Sequence, residues 1–151
     1  MFMAKILVID DEQAIVELLT LRLTEAGHQV VVALDGFAGP MVATREKPDL
    51  IILDYNMPAA NGAKVHERLR GNTFTAATPI IFLTATPIGE IIMGVKDDDR
   101  TRFLQKPVDF PLLAKTIAVF LGGAAPPPAP PAVPPTAPPN DLAGGDVLDL
   151  D

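Results

Sequence analysis

Polar side chains follow four short apolar runs of this 151-residue sequence, directly or after one residue. The runs are KILVI, LIIL, PIIFL and FL. Carboxylates, a hydroxyl and an ammonium group are side chains that bind a divalent cation and the oxygens of a phosphoryl group. If the runs are neighbouring strands, these side chains share one site. They are Asp10 and Asp11, Asp54, Thr84 and Lys106.

The three aspartates of this group predict a metal site. At neutral pH they place about three negative charges in one small cleft, where unpaired carboxylates repel and raise one another's pKa. A hard divalent cation relieves this repulsion, and Mg2+ suits a site of carboxylates, a backbone carbonyl and water. Asn56, two residues beyond Asp54, is placed to offer that carbonyl.

Asp54 is the candidate nucleophile of the group. Its carboxylate could attack a phosphoryl group while the ammonium of Lys106 neutralises the developing charge and the hydroxyl of Thr84 contacts another oxygen. Each residue also has an ordinary structural interpretation. Aspartates commonly cap helices and turns, a threonine can serve a turn, and most lysines are solvated. The joint placement of all of them favours phosphoryl transfer.

Five strands and five helices alternate along the chain and position these side chains. The alternation predicts a doubly wound α/β fold, in which a five-stranded parallel sheet has right-handed crossovers and helices on both faces. Parallel strands end at one edge of the sheet, so the polar side chains converge there. The predicted strands are 5–9, 29–33, 50–54, 79–83 and 103–104, and the predicted helices are 13–27, 36–45, 63–70, 87–96 and 109–121.

Composition excludes several classes of function. Because the chain has no cysteine, it has no disulfide, no thiolate metal site and no cysteine nucleophile. Its net charge of −7, from 19 acidic and 12 basic residues, argues against a nucleic-acid-binding module. We find no secretory signal and no apolar run near the roughly 18 residues that span a bilayer. We therefore expect a cytoplasmic protein without membrane insertion.

Composition also divides the chain into two parts, 1–121 and 122–151. The first part carries the predicted sheet, and the second is a tail rich in proline and alanine, which we expect to be disordered. Its prolines predict a semi-rigid polyproline II spacer. The spacer leads to NDLAGGDVLDLD, an acidic and aliphatic end that either docks on a partner protein or is a solvated terminus without function.

The polar strand ends belong to four longer motifs, which are VIDDE at 8–12, ILDYNMP at 52–58 with Gly62, FLTA at 82–85 and FLQKP at 103–107. In these motifs and their spacing, the sequence resembles the receiver domains of two-component response regulators over about residues 3–121. The resemblance implies a flavodoxin-like sheet with the strand order 2-1-3-4-5. It covers all the polar strand ends that the apolar runs single out.

The same resemblance implies a role for each residue. Asp54 is then the phosphoacceptor, which takes a phosphoryl group from a histidine kinase or a phosphotransfer protein, and Thr84 and Lys106 contact that group. The Lys106–Pro107 peptide bond is cis. Such a protein catalyses only its own phosphorylation and dephosphorylation and is not classed as an enzyme. The implied Mg2+ ligands are Asp10, Asp11, Asp54 and the backbone carbonyl of Asn56.

A switch is implied as well. Thr84 turns toward the phosphoryl group, and Phe103, in the place of the family's frequent tyrosine, fills the vacated space. This movement changes the face formed by helix four, strand five and helix five, through which an unknown effector protein would bind. The C-terminal tail is a second candidate contact. Phe103 could equally be an ordinary core residue.

One segment departs from the family pattern. Where the family has a glycine-containing turn before strand five, this chain has DDDRTR at 97–102. The helix before it, 87–96, is unusually apolar, which indicates either a protein contact or a deeply buried helix. His28 and His66 lie off the predicted edge, and we expect both to be structural.

Two other functions are compatible with the sequence. A phosphorylation-independent scaffold or adaptor would keep the fold and leave the site unused. A phosphatase of the haloacid dehalogenase class also forms an aspartyl phosphate. Its pattern places the nucleophile at the end of strand one, here Asp10, and a second aspartate two residues later, where this chain has Glu12. We expect no attached output domain, which favours an adaptor or relay among receivers.

Overall fold

The computed structural model describes residues 4–57, 61–95 and 98–122. The described residues up to Leu121 belong to one compact unit. Pro58, which ends the third strand's motif, and Asp97 lie outside the described residues, as does the predicted tail from residue 123 onward. The division of the chain at 121 and 122 therefore stays a prediction.

Five parallel strands form a single sheet. They are β1 (Lys5–Ile9), β2 (Gln29–Ala33), β3 (Leu50–Asp54), β4 (Ile80–Thr84) and β5 (Thr101–Gln105). Their order is β2-β1-β3-β4-β5, which confirms the predicted flavodoxin-like order. β3 and β4 are buried throughout, as parallel strands covered by helices on both faces require. The register aligns the carboxyl ends of the strands, because Leu53 lies opposite both Ile9 and Phe82.

Helices cover both faces of the sheet. They are α1 (Gln13–Glu25), α2 (Ala38–Glu46), α3 (Gly62–Arg70), α4 (Ile88–Ile91) and α5 (Phe110–Gly122). Leu19 of α1 and Leu113 of α5 pack in the core on one face, and Val42 of α2 and Val65 of α3 pack in the core on the other. The longest helices have 13 residues, and none in the described part of the chain is long and apolar enough to cross a membrane.

The fourth helix is shorter than predicted. The sequence predicts a helix over 87–96, but α4 ends at Ile91, and a 3-10 turn follows over Ile92–Gly94. Two glycines in the segment lower its helix propensity. Its apolar residues also do not share one face, because Ile91 is buried while Ile92 and Met93 are 49% and 89% exposed. The segment is therefore not a deeply buried helix.

The fifth strand is longer than predicted. It begins at Thr101, which is buried and lies opposite Ile80 of β4, whereas the sequence predicts a strand over 103–104. Because β5 lies at the edge of the sheet, it is less buried than the central strands, and its Arg102 and Gln105 are exposed. Polar residues can therefore extend this strand. The charged segment DDDRTR therefore ends inside the sheet.

A partly buried polar cluster connects α3 with the segment that precedes β5. Arg70 donates from Nε to Asp98 Oδ2 at 3.0 Å, and His66 Nε2 lies 3.2 Å from Asp98 Oδ2 and 3.0 Å from Thr101 Oγ1. Burial acts to raise the pKa of Asp98, but hydrogen bonds from Arg70, Thr101 and the N–H of Arg100 outweigh it and lower the pKa to about 2. His66 thus lies in a structural cluster away from the carboxyl edge of the sheet.

Arg70→Ala is expected to lower the free energy of unfolding by about 2–4 kcal/mol, because it removes the Arg70 hydrogen bonds to the Asp98 carboxylate and to three backbone carbonyls. Urea unfolding followed by circular dichroism measures this change. Arg45→Ala is the matched control, since the Arg45 side chain is 68% exposed and pairs with Glu46 at the surface. Equal losses in the two variants would contradict the structural role of the cluster.

Candidate functional site

The carboxyl ends of the strands bring the predicted side chains to one edge of the sheet. Asp54 is the last residue of β3, and Thr84 is the last residue of β4. Asp10 and Lys106 directly follow β1 and β5. The N–H of Asp10 donates to the carbonyl of Ala33 at 3.1 Å, and the N–H of Lys106 donates to the carbonyl of Thr84 at 2.7 Å. These side chains therefore start from backbone that the sheet fixes.

Three carboxylates share this edge. One oxygen from each of Asp10, Asp11 and Asp54 lies within 4.8 Å of the other two. Asp10 and Asp54 are 2% and 5% exposed, whereas Asp11 faces solvent. The site thus has a floor of two buried carboxylates and an open side at Asp11, through which an ion or a small group could enter.

Lys106 supplies a positive charge to the site. Its Nζ lies 3.4 Å from Asp10 Oδ2, 3.5 Å from Asp54 Oδ1 and 3.8 Å from Glu12 Oε1. Burial acts to lower the pKa of Lys106, but the charges of Asp54 and Asp10 outweigh it and raise the pKa. The ammonium group therefore stays charged at neutral pH and bridges the two buried carboxylates. The Lys106–Pro107 peptide bond that follows is cis.

The single positive charge of Lys106 does not neutralise the negative charge of the carboxylates around it. Burial and the charge of Asp10 raise the pKa of Asp54 from 3.8 to about 6, against the opposing effect of Lys106. Ionised Asp54 is therefore a high-energy form in this site. Further positive charge beside it, or a bond formed to its oxygen, would lower that energy.

The donor set fits Mg2+. Carboxylate oxygens within reach of one ion, an open side for water and an excess of negative charge are features that this hard cation requires. Asn56, the predicted backbone ligand, is held beside them, since its N–H donates to Asp54 Oδ1 at 3.3 Å. Ligation by the Asn56 carbonyl stays a prediction.

Hydrogen bonds link the loops that follow β3 and β4. Nδ2 of Asn56 donates to Thr86 Oγ1 at 2.6 Å. The hydroxyl of Thr84 accepts from the N–H of Thr86 at 2.9 Å and donates to its carbonyl at 3.3 Å. Nε2 of Gln105 donates to two carbonyls of the same loop at 3.1 and 3.2 Å. In this structure the Thr84 hydroxyl is therefore bonded within its own loop.

Phe103, the predicted switch residue, lies in an aromatic stack beneath this edge. Its half-buried ring stacks on Phe82, with centroids 5.2 Å apart and planes at 4°. The Phe82 ring also lies 6.2 Å from the ring of Tyr55, the residue after Asp54, and 5.7 Å from the ring of His66. The stack therefore connects the position of Phe103 with the loop that follows Asp54.

Two features of the site are not evident from the sequence. Glu12 adds a carboxylate near Lys106. Gly62 lets α3 begin directly against the site, because a Cβ there would lie 2.7 Å from Tyr55 Cα and 3.0 Å from the carbonyl oxygen of Asp54. A side chain at this position would displace the loop after Asp54. The Asn-Gly pair signals a turn, but not this close approach.

Asp54→Asn is expected to stabilise the metal-free protein at pH 8 by on the order of 2 kcal/mol, because the variant lacks a buried carboxylate of raised pKa. The folded-state pKa of about 6 exceeds the unfolded value near 3.8, so folding takes up a proton between these values. The difference in unfolding free energy between Asp54→Asn and the wild type, called the stability gap below, is therefore absent below about pH 4. It grows up to about pH 6 and reaches its full size above that pH.

Urea unfolding of both proteins across this pH range, with a chelator present, measures the gap. Mg2+ should narrow it at pH 8, because the ion stabilises the wild type more than the variant. A gap that does not change with pH would show that the pKa of Asp54 is not raised.

The chain matches one protein family over most of its length. Residues 6–118 match the family model described as the response regulator receiver domain. The chain is 36% identical over 121 residues to Protein PilH of Pseudomonas aeruginosa, which covers 80% of this chain and 100% of PilH. It is 41% identical over 110 residues to the DNA-binding dual master transcriptional regulator RpaA of Synechocystis, which covers 71% of this chain and 44% of RpaA.

Solved structures share the fold. Chemotaxis response regulator CheY4 of Vibrio cholerae aligns with a TM-score of 0.72 and 32% identity, covering 80% of this chain and 100% of that chain. The receiver domain of sensor histidine kinase PA1611 from Pseudomonas aeruginosa, with a magnesium ion coordinated in its active site cleft, aligns with a TM-score of 0.72. At 22% identity over 80% of this chain and 99% of that one, it shows the fold alone. With its sheet order, its clustered strand ends and its match to the family model, the chain belongs to the response regulator receiver domains of two-component signalling.

Proposed function

We propose that this receiver accepts a phosphoryl group on Asp54 from the phosphohistidine of a histidine kinase or of a phosphotransfer protein. The observation that supports this most is the 3.5 Å contact between Asp54 and Lys106 inside a cluster of three carboxylates. A nucleophilic carboxylate, a fixed ammonium group and a metal-binding donor set are what phosphoryl transfer to an aspartate needs. The protein then signals through protein contacts and catalyses only its own phosphorylation and dephosphorylation.

The proposed step is a displacement at phosphorus. An ionised oxygen of Asp54 attacks the phosphorus atom and forms the P–O bond of an acyl phosphate. The P–N bond to the donor imidazole breaks, and its electron pair returns to the ring nitrogen. Because the pKa of Asp54 is about 6, its carboxylate is mostly ionised at pH 7 and above. Lys106 lies where its ammonium group can stabilise charge on a phosphoryl oxygen.

Mg2+ is part of this proposal. When bound, it supplies positive charge that neutralises the phosphoryl oxygens and orients them. The carboxylate of Asp10 is already oriented, because its Oδ1 accepts from the N–H of Glu12 at 2.9 Å while its Oδ2 faces Lys106. Asp11 borders the open side. The proposed ligands are the carboxylates of Asp10, Asp11 and Asp54 and the carbonyl of Asn56.

Thr84 and Phe103 are the proposed switch. The Thr84 hydroxyl, which is bonded to the backbone of Thr86, would turn toward a phosphoryl oxygen of phosphorylated Asp54. The half-buried ring of Phe103 would then move further into the space that is released. Its stacking on Phe82 supports an inward position of the ring.

The face formed by α4, β5 and α5 is the proposed effector surface. Ile92, directly after α4, is 49% exposed and lines a shallow groove with Arg102 and Phe103, and the guanidinium of Arg102 lies 5.3 Å from the ring centre of Phe120. Exposed apolar side chains beside half-buried aromatic rings are typical of protein contacts. We also propose that residues 122–151 form a tail that contacts a partner, and that the chain, which has no cysteine, acts in the cytoplasm.

Incubation of the full chain with acetyl phosphate and Mg2+ is expected to add one phosphoryl group, which intact-protein mass spectrometry detects. Asp54→Asn should abolish the addition. Lys106→Met should slow it by about tenfold or more, because no ammonium group offsets the charge on the phosphoryl oxygens. Asp99→Asn changes an exposed carboxylate outside the site and should label like the wild type.

Full labelling of Asp54→Asn would place the acceptor elsewhere. If the wild type takes up no phosphoryl group under conditions that label an established receiver, a phosphorylation-independent scaffold is the better assignment. Turnover of small phosphate esters would instead support a phosphatase of the haloacid dehalogenase class.

A further inference from the structure

Three large apolar side chains are exposed on a surface away from the proposed site. Phe37 directly precedes α2, Met41 lies one turn along that helix, and Phe74 lies in the loop after α3. They are 54%, 72% and 63% exposed. Single exposed apolar residues are common, but two phenylalanines and a methionine along one helix pair are not. Together with Lys47 and Arg68, these side chains are called the α2–α3 surface below.

The backbone that carries the two exposed rings is fixed by side-chain hydrogen bonds. Asp35 Oδ1 accepts from the N–H of Phe37 at 2.9 Å and from the next N–H at 2.8 Å. Asn72 Oδ1 accepts from the N–H of Phe74 at 2.9 Å, and Asn72 Nδ2 donates to Thr44 Oγ1 of α2 at 2.9 Å. The attachment points of the rings are thus set before a ligand binds, which reduces the entropy lost on binding.

A cation lies over each exposed ring. The guanidinium of Arg68 is 5.7 Å from the centre of the Phe37 ring, and the ammonium of Lys47 is 5.3 Å from the centre of the Phe74 ring. Both distances are within the range of cation–π contacts. The neighbouring carboxylate of Glu46 is paired with two basic side chains at 3.2 and 3.3 Å. Arg68 and Lys47 therefore place positive charge beside the exposed rings in a chain whose net charge is −7. The exposed carboxylate of Asp35 also lies near Phe37, where its Oδ1 is bonded to two backbone N–H groups.

We propose that the α2–α3 surface is a docking site for an acidic, aliphatic peptide segment of a partner protein. Leucine or valine side chains of the segment contact the two rings and Met41, whose flexible thioether adapts to different shapes. Carboxylates of the segment pair with Arg68 and Lys47, which already lie beside the rings. Each end of the surface thus recognises an apolar group next to an acidic one.

Charge favours this occupant over two others. An anionic membrane surface attracts these few basic groups but repels a chain of net charge −7, whereas a short peptide experiences mainly the local charge. In a two-fold dimer formed through this surface, the same basic patch of each copy would face its equivalent and repel it. An acidic peptide meets neither obstacle.

Fluorescence anisotropy of a labelled peptide, DLADLLDEL, with the full chain tests the proposal. We expect saturable binding that weakens as salt rises and is much weaker for the neutral peptide NLANLLNQL. Phe37→Ala and Arg68→Glu should each weaken binding by about fivefold or more, since each removes an anchor. Leu21→Ala and Arg22→Glu change an exposed apolar and an exposed basic side chain of α1, outside both proposed surfaces, and should bind like the wild type.

Circular dichroism of the variants shows whether the fold is kept, and labelling of Asp54 in the two control variants tests the proposed function separately. Absence of binding, or equal affinity of Phe37→Ala and the wild type, would overturn the proposal. If sedimentation experiments show a dimer that Phe37→Ala abolishes, the occupant of the surface is a second copy of this chain and the proposal is overturned. Binding to phosphatidylglycerol vesicles that Phe37→Ala abolishes would overturn it in favour of a membrane.

Discussion

The carboxyl edge of the sheet holds two buried carboxylates side by side, with the ammonium group of Lys106 in contact with both. Asp10 follows β1 and Asp54 ends the neighbouring strand β3, and the register of these two strands holds the two backbone positions side by side. Burial and mutual repulsion raise the pKa of Asp54, and Lys106 offsets only part of the effect. Such a carboxylate favours a nearby cation or a new bond to its own oxygen, and these are the events of metal binding and phosphoryl acceptance.

The surrounding fold holds this arrangement without covering it. On one side, α3 begins against the loop after β3 because Gly62 has no side chain. On the other side, the contact of Arg70 with Asp98 anchors the segment that leads into β5, the strand that ends just before Lys106. Asp11 stays in solvent. The site therefore combines fixed, buried carboxylates with a solvent-exposed side, and this combination suits a phosphoryl group delivered by another protein.

The sheet and most of the site follow from regular sequence patterns. Apolar runs alternate with helical segments and determine the order of elements, and the strand ends determine which side chains meet. Contacts between distant loops follow no such pattern, so the pairing of Arg70 with Asp98 is not predicted, and neither is the start of β5 at Thr101. The early end of α4 is missed because the prediction follows apolar periodicity and ignores the two glycines that lower the helix propensity of the segment. The exposure of Phe37 and Phe74 is not predictable from the sequence either, because aromatic residues are ordinarily assigned to the core.

The proposed reactivity of Asp54 depends on its raised pKa, which NMR titration of its side-chain carboxyl carbon measures most directly. We expect a midpoint near 6 without metal, a higher midpoint in Lys106→Met and a lower midpoint in the wild type with Mg2+. A midpoint near 3.8 that neither change moves would contradict this, because Asp54 would then be an ordinary surface-like aspartate rather than a carboxylate poised to accept a phosphoryl group.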